Sequence, residues 1–525
     1  MHRVLIADEL SPRAVEIFRH RGIAVDVRTG LSPEAFAAAV GDYDGLAVRS
    51  ATKVTAAIIG AGRKLAVIGR AGIGIDNIDL AAATQRGIVV MNTPHGNSVT
   101  TAEHAIAMMF ALARQIPAAD RSTRAGKWEK SRFVGVELTG KTLGIIGCGN
   151  IGAIVADRAH GLKMKVIAYD PYLSEGRAEN LAVEKVELAE LLGRADFITL
   201  HTPLTDATRH MIDAAALAKT RPGVRLINCA RGELVVEADL KAAIESGQVA
   251  GAALDVFAVE PARDNPLFAL EQVVATPHLG AATAEAQEKV AVQVAEQMAD
   301  FLMTGAVSNA LNMPSVSAEE APRLRPYMEL ARQLGSFAGQ LTRTGLRAIK
   351  IEYEGQAADL NTRPLTAVAL AGLLGPLLES VNMVNAPVIA RERNIEVSEV
   401  KHSRPSDYQT LIRLTVTTDR QSRDIAGTLF GGNRPRLVEV KGIPIEAELG
   451  RHMLYITNRD KPGFIGRLGT LLGDQGVNIA TFHLGRLSAG SDAIALIEVD
   501  QPVTDGVLEQ IRAIKDVVQA AAMSF

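Results

Sequence analysis

The stretch that decides the fold is TLGIIGCGNIGAIVADRAHGLKMKVIAYDP, residues 142–171. Leu143, Ile145 and Ile146 read as a buried strand, and Gly147, Gly149 and Gly152 follow at GxGxxG spacing. A helical stretch comes next, then a second apolar run, Val166, Ile167, Ala168 and Tyr169, ending on Asp170. In such a unit the first glycine permits a tight turn and the second lets backbone approach a pyrophosphate. The third lets the helix pack closely on the sheet. The helix N-terminus attracts the anion. Asp170 lies 18 residues past Gly152, where a carboxylate accepts hydrogen bonds from ribose hydroxyls and repels a 2′-phosphate. The expected cofactor is therefore NAD. The plainer alternative is that Asp170 and Pro171 only start a turn.

The late position of this unit implies that another domain is built first. A chain of 525 residues accommodates roughly three to four domains. Net charge is −3, so no global field recruits nucleic acid or an anionic membrane. No apolar run approaches the ~18 residues of a membrane span, and MHRVLIADEL reads as a first strand rather than a leader. A cytoplasmic protein is expected. Its two cysteines, Cys148 and Cys229, lack metal-ligand spacing, so no metal is expected. Free thiols suit a reducing compartment, with a regulatory disulfide between them as the minor alternative.

Residues 1–97 alternate strands (VLIAD, AVDV, GLAVRS, LAVIGRAG, GIVVMNT) with helical stretches, an α/β pattern with its own parallel sheet. Thr100 and Glu103 are spaced as a capping box opening the helix AEHAIAMMFALARQI, which crosses to the nucleotide unit. That unit continues through ADFITLHTP, VRLINCARG, AGAALDV and VVATPHLG. A long amphipathic helix ending at Gly305 then carries the chain back to the first lobe. Two crossings between two lobes imply a cleft. Residues 318–450 read as mixed α+β, with a helix-like run near TAVALAGLLGPLLESV and strands near TLIRLTVTT and RLVEVKGIPIEAEL. From Met453 the pattern is strand, helix, strand, strand, helix, strand, of ferredoxin-like type. The expected units are 1–97 with 283–310, then 98–282, 318–450 and 452–525.

Ligands of open α/β sheets sit beyond the carboxyl ends of strands, and three residues stand there: Arg231, Glu260 and His278. Oxidising a secondary alcohol requires a base for the hydroxyl proton, which histidine suits. A carboxylate on the other ring nitrogen fixes the tautomer, and an arginine orients a substrate carboxylate with two donors. Each residue alone is more often structural. Together, at successive strand ends, they form a catalytic set. The first lobe adds Arg49, Ser50 and Lys53 after one strand and Arg70 at the end of the next. These either bind phosphate or form a solvated basic face.

GRAGIGIDNIDLAAATQRGIVVMNTPHGNSVTTAEHAIAMM, the GxGxxG unit, HTPLTDATRH, INCARGELVVEADL, GAALDVFAVEP and PHLGAATAEAQ resemble the D-2-hydroxyacid dehydrogenase family. VRSATKVT, GKWEK and the C-terminal module resemble its long, phosphoglycerate-oxidising branch. The resemblance implies a Rossmann-type NAD domain inserted in a discontinuous flavodoxin-like α/β substrate domain, then an α+β intervening domain and an ACT domain. It makes His278 the acid/base, Glu260 its partner and Arg231 the substrate clamp. It adds cofactor contacts at Asn150, Ile151, Thr202, Cys229, Ala230, Arg231, Asp255, His278, Gly280 and Ala281 beside Gly147, Gly149, Gly152 and Asp170. The implied substrate is 3-phosphoglycerate, held by Arg49, Ser50, Arg70, Gly72, Gly74, Asn97, Arg231 and His278. Arg132 is expected to reach a neighbouring subunit's site. Where one family pattern has Thr inside GRAGxG this chain has Ile73, so any hydroxyl contact there is lost.

The tail implies an L-serine effector held by Asn458 and Asp460 of one copy and Asn478 of another, in a dimer or tetramer. The alternative is a module that only dimerises the chain. No catalytic set shows in residues 318–450, where Arg434 and Arg436 read as a solvated loop, with anion binding as the lesser alternative, and a spacer that assists oligomerisation is the default. Two further functional alternatives stay open: a glyoxylate or hydroxypyruvate reductase, and a non-enzymatic NAD-sensing corepressor.

Overall fold

The computed structural model describes residues 1–94, 96–317, 319–403 and 407–525. Ala318, the expected start of the third unit, lies outside the described residues. The strand Thr142–Ile146 sits inside a seven-stranded sheet. Its order is Val273–Ala275, Val249–Leu254, Val224–Asn228, Phe197–Leu200, Thr142–Ile146, Lys165–Tyr169, Glu184–Lys185. Every pairing is parallel. Helices cover both faces, so the central strand Phe197–Leu200 is buried at every residue. Chain order reverses between Thr142–Ile146 and Phe197–Leu200, the switch point where such sheets bind ligands. Gly147 turns there with φ 92°. A Cβ on Gly152 would lie 2.2 Å from the Gly147 carbonyl oxygen, so the helix Asn150–Gly161 sits as close to the strand as the motif requires.

The first lobe is a five-stranded parallel sheet in the order Ala24–Val27, Arg3–Ile6, Gly45–Val48, Val67–Arg70, Val89–Met91. This is the flavodoxin-like order. The helix Ala284–Thr304, capped by the Thr283 hydroxyl and closed by left-handed Gly305, returns Val290, Val294, Ala295 and Met298 to the core of this sheet. The nucleotide unit is therefore an insertion. The outgoing helix Ser98–Ala113 packs Ala105, Met109 and Leu112 into the nucleotide core instead. Its start corrects the capping-box expectation. Asn97 is the N-cap, and Thr100 lies inside the first turn with its hydroxyl facing that of Thr283 at 3.5 Å.

A six-stranded sheet follows, in the order Glu396–His402, Leu346–Gly355, Thr410–Thr418, Ser422–Phe430, Arg434–Val440, Ile443–Ala447. Only its first pair is parallel. The helices Glu320–Gln340 and Thr362–Leu374 pack on it. The second is shorter than its apolar run, because Pro376 supplies no N–H to continue the ladder. The connector that follows buries Val384 in the first lobe's core, and the Asn385 side-chain amide donates to the Gln85 carbonyl at 3.0 Å.

The last sheet is antiparallel, in the order Ile479–Arg486, Asp492–Val499, His452–Arg459, Val517–Ser524. Its Leu454 and Ile456 face the helices Phe464–Asp474 and Asp505–Arg512. Tyr455, Leu496 and Met523 point the other way, into the core of the six-stranded sheet. The last two units thus share one core. Among the described residues no helix is long and apolar enough to cross a membrane.

Candidate active site

The carboxyl ends of the two parallel sheets face each other across the interlobe cleft, and Arg231 spans it. The side chain of Asn228 closes the turn that aims this arginine, accepting from Ala230 N at 3.1 Å and donating to the Arg231 carbonyl at 2.8 Å. Arg231 Nε then reaches Asp76 of the first lobe at 2.7 Å. Its Nη2 lies 1.7 Å from where a Cβ on Gly74 would sit. Gly74 therefore has a steric role: any side chain there displaces the guanidinium.

His278 ends the turn after Val273–Ala275 in the left-handed region, φ 57°. Its Nδ1 is 2.7 Å from Glu260 Oε2. A carboxylate only accepts, so Nδ1 carries the proton and Nε2 is the lone-pair nitrogen. The bond to Glu260 raises the pKa of His278 above its ordinary value, against burial, with the charges of Glu260 and Asp255 adding to the rise. Burial pushes the Glu260 carboxyl up, but the His278 bond and charge and the Phe257 amide outweigh it, and the net shift is downward. Half of the His278 side chain stays open to the cleft.

Arg70 completes a cluster of three guanidinium groups. Its Nε is buried without a hydrogen-bond partner among the described residues. Burial first, then the charges of Arg231 and Arg49, push its pKa down to about 10 against the pull of Asp76 and Asp8. Cations so crowded lower their energy by sharing an anion. Gly72 lies in the same pocket, since a Cβ on it would sit 2.1 Å from Arg70 Nη1. Its N–H donates to the Thr93 hydroxyl at 2.7 Å. Arg49 is held at its backbone, where its N–H donates to Asp8 Oδ2 at 2.6 Å. Asn97 occupies the N-cap position of the crossing helix, with its Oδ1 buried and without a partner among the described residues. Ser50 and Lys53 are exposed at the rim.

The dinucleotide residues also converge. A Cβ on Gly149 would meet nothing within 4 Å, so backbone there is open to a close approach. Asp170 accepts from Cys148 N at 2.9 Å and Tyr172 N at 2.8 Å, which fixes its carboxylate at the end of the second strand. Thr202 follows His201, a partly buried residue whose surroundings push its pKa down to about 4 by desolvation. This neutral ring bonds the Thr199 hydroxyl at 2.8 Å and holds the loop against Gly147. A glycine turn, an open helix N-terminus and a fixed acid together fit NAD. Cys148 and Cys229 are both buried free thiols, and burial raises the pKa of each. No disulfide joins them.

Two groups of expected residues are not brought together within the chain. Arg132 is tied to Glu271 of its own nucleotide unit by Nη2 bonds of 2.7 and 2.8 Å, away from the cleft. In the tail, Asn458 is only 2% exposed, and Asp460 accepts from Gly490 N and from Arg486. Asn478 bonds Asp500 at the opposite end of the sheet. The register pairs Arg486 with Ala493 and Ala493 in turn with Asn458, whereas Ile479 pairs with Val499. The separation is roughly 23 Å at about 3.3 Å per residue. Arg436, read as solvated, pairs with Glu448 at 2.8 Å. Sequence reasoning missed Asp8 and Asp76. Nothing in IADE or GIDN distinguishes an acid that braces an arginine from one on a solvated loop.

The family model for the D-isomer specific 2-hydroxyacid dehydrogenase NAD binding domain matches residues 106–280. The D-3-phosphoglycerate dehydrogenase intervening domain matches 323–441, and the ACT domain matches 452–516. D-3-phosphoglycerate dehydrogenase from Synechocystis is 43% identical over 522 residues, 99% of this chain and 94% of that protein. The Archaeoglobus fulgidus enzyme of the same name is 42% identical over 99% of both chains. Among solved structures, NAD+-bound 3-phosphoglycerate dehydrogenase from Entamoeba histolytica is 31% identical with a TM-score of 0.51, covering 59% of this chain and 98% of that one. The chain belongs to the D-3-phosphoglycerate dehydrogenase family.

Proposed function

We propose that this chain oxidises 3-phospho-D-glycerate to 3-phosphooxypyruvate with NAD, the step that opens L-serine synthesis. The observation that carries the reading is the crowding of Arg70 with Arg49 and Arg231, the last of which also acts on His278 of the His278–Glu260 pair. A substrate with a phosphate at one end and a carboxylate at the other neutralises such a cluster. A single carboxylate leaves part of it uncompensated. Bound NAD would supply the hydride acceptor, and Gly147, Gly149, Asn150, Ile151, Gly152, Asp170, Thr202, Cys229, Ala230, Asp255, Gly280 and Ala281 would hold it. Arg49 and Arg70 take the phosphate, with Ser50 and Asn97 as polar contacts. Arg231 takes the carboxylate with the Gly72–Gly74 backbone. His278 Nε2 receives the hydroxyl proton, and Glu260 stabilises the imidazolium that results.

The proposed units are residues 1–97 with 283–310, 98–282, 318–450 and 452–525. The active form is a cytoplasmic homo-oligomer. L-Serine is the proposed effector, and Asn458, Asp460 and Asn478 meet only when one tail lies end to end against another. His278→Ala tests the chemistry. Turnover should fall by about 100-fold or more with NAD affinity little changed, and near-normal turnover would overturn the assignment.

A further inference from the structure

His278 holds a left-handed backbone, φ 57°, which a side chain larger than glycine adopts only when its surroundings impose it. The group that imposes it is Asp255, 0% exposed. Its carbonyl accepts from His278 N at 2.9 Å. Its carboxylate accepts the next two amides, Leu279 N at 2.7 Å and Gly280 N at 2.8 Å, and the Thr276 hydroxyl at 2.6 Å. Four bonds from one residue thus define the turn that presents the base.

A carboxylate buried this deeply needs donors on every side. The remaining one comes from outside the loop. His104, on the crossing helix Ser98–Ala113, places Nε2 3.2 Å from Asp255 Oδ1 and 3.3 Å from the Thr276 hydroxyl. The hydroxyl spends its single hydrogen on Asp255, and the carboxylate only accepts, so His104 Nε2 carries the proton toward both. His104, Cys229 and Asp255 also stand at metal-ligand distances, their ligand atoms within 4.8 Å of one another. Hydrogen bonding describes the trio better. The Asp255 oxygens already accept four protein donors, and burial with the Asp255 charge keeps Cys229 a thiol.

We propose that His104 is a positioning residue for the proposed reaction: by donating to Asp255 it locks the Leu279 and Gly280 amides and so sets the backbone of His278. The inference rests on the proposed role of His278 and adds a link from the interlobe helix to the catalytic loop. Burial acting alone would raise the Asp255 carboxyl. The His104 bond comes first among the interactions that bring it below its ordinary value, ahead of Thr276 and the Leu279 amide.

The test uses the full chain with His104→Leu, which keeps bulk and loses the donor, and His104→Gln, which keeps an N–H at similar reach. Hydrogen exchange of the peptide carrying Leu279 and Gly280 should speed up at least tenfold in H104L and return to within threefold of wild type in H104Q. In the same proteins kcat with 3-phosphoglycerate should fall at least tenfold in H104L, recover in H104Q, and leave the KM for that substrate within about twofold. Wild-type exchange in H104L, or equal impairment of the two variants, overturns the positioning role. If wild type shows no turnover while exchange follows the pattern above, the proposed reaction fails and the role of His104 in the loop stands.

Discussion

Arg231 Nε of the nucleotide unit lies 2.7 Å from Asp76 Oδ2 of the first lobe, so the residue proposed to clamp a substrate carboxylate is itself braced across the cleft. The brace leaves Nη2 pressed against Gly74. Gly74→Ala should push the guanidinium tip aside at little folding cost, because the obstructing atom is the end of a flexible side chain. The KM for 3-phosphoglycerate should rise about tenfold, a loss of about 1.4 kcal/mol, with the melting temperature nearly unchanged. Unaltered kinetics in G74A would remove Arg231 from the carboxylate site.

Gly152→Ala should behave in the opposite way. Its Cβ would meet the Gly147 carbonyl at 2.2 Å, and backbone cannot swing aside. Overpacking of this kind costs roughly 1–3 kcal/mol. Calorimetry should show a lowered melting temperature together with weaker NAD binding, and a variant that binds NAD normally would contradict the motif's placement.

Glu260 raises the pKa of His278, and the neutral ring is the form that accepts a proton. Oxidation should therefore increase with pH through a midpoint above the ordinary histidine value of about 6.5. In Glu260→Gln the pairing is gone while burial, which lowers the pKa, remains. The midpoint should move to lower pH, and the plateau rate should fall about 100-fold. A pH profile with an unmoved midpoint would show that His278 is not the titrating base.

In the proposed NAD site Asp170 is the carboxylate that a 2′-phosphate would meet. Two unit charges 4 Å apart repel by about 4 kcal/mol at an effective dielectric of 20. Asp170→Ser should narrow the preference for NAD over NADP by at least about tenfold in kcat/KM. Equal preference in wild type would contradict its role.

The serine response should depend on the tail. The ratio of rates with and without L-serine should depart from one in wild type and return to one in Asp460→Ala. An identical ratio in both proteins would place any serine effect elsewhere.

How far the sequence determined these features differs by element. Val166 to Asp170 and the glycines were legible because a parallel strand, a tight turn and a close helix each demand particular residue types. The pairing of Glu260 with His278 was legible because both follow neighbouring strands of one sheet. The start of the crossing helix was not, since Thr100 and Glu103 keep capping-box spacing inside the first turn while Asn97 takes the cap. Asp255 was expected only as a cofactor contact, and its hold on the His278 turn arises from bonds to residues more than 20 positions away. The shared core of the last two units was hidden for a similar reason. Tyr455 and Leu454 alternate on one strand, and only the fold shows that both faces are covered.

The most direct measurement compares NADH formation from 3-phospho-D-glycerate with that from unphosphorylated D-glycerate, in wild type and in Arg70→Met. If the arginine cluster reads the phosphate, kcat/KM in wild type should favour the phosphorylated substrate by at least about 100-fold, the worth of roughly 2.7 kcal/mol. Most of that preference should vanish in R70M. Equal rates on both substrates in wild type, or a preference untouched by R70M, would contradict it.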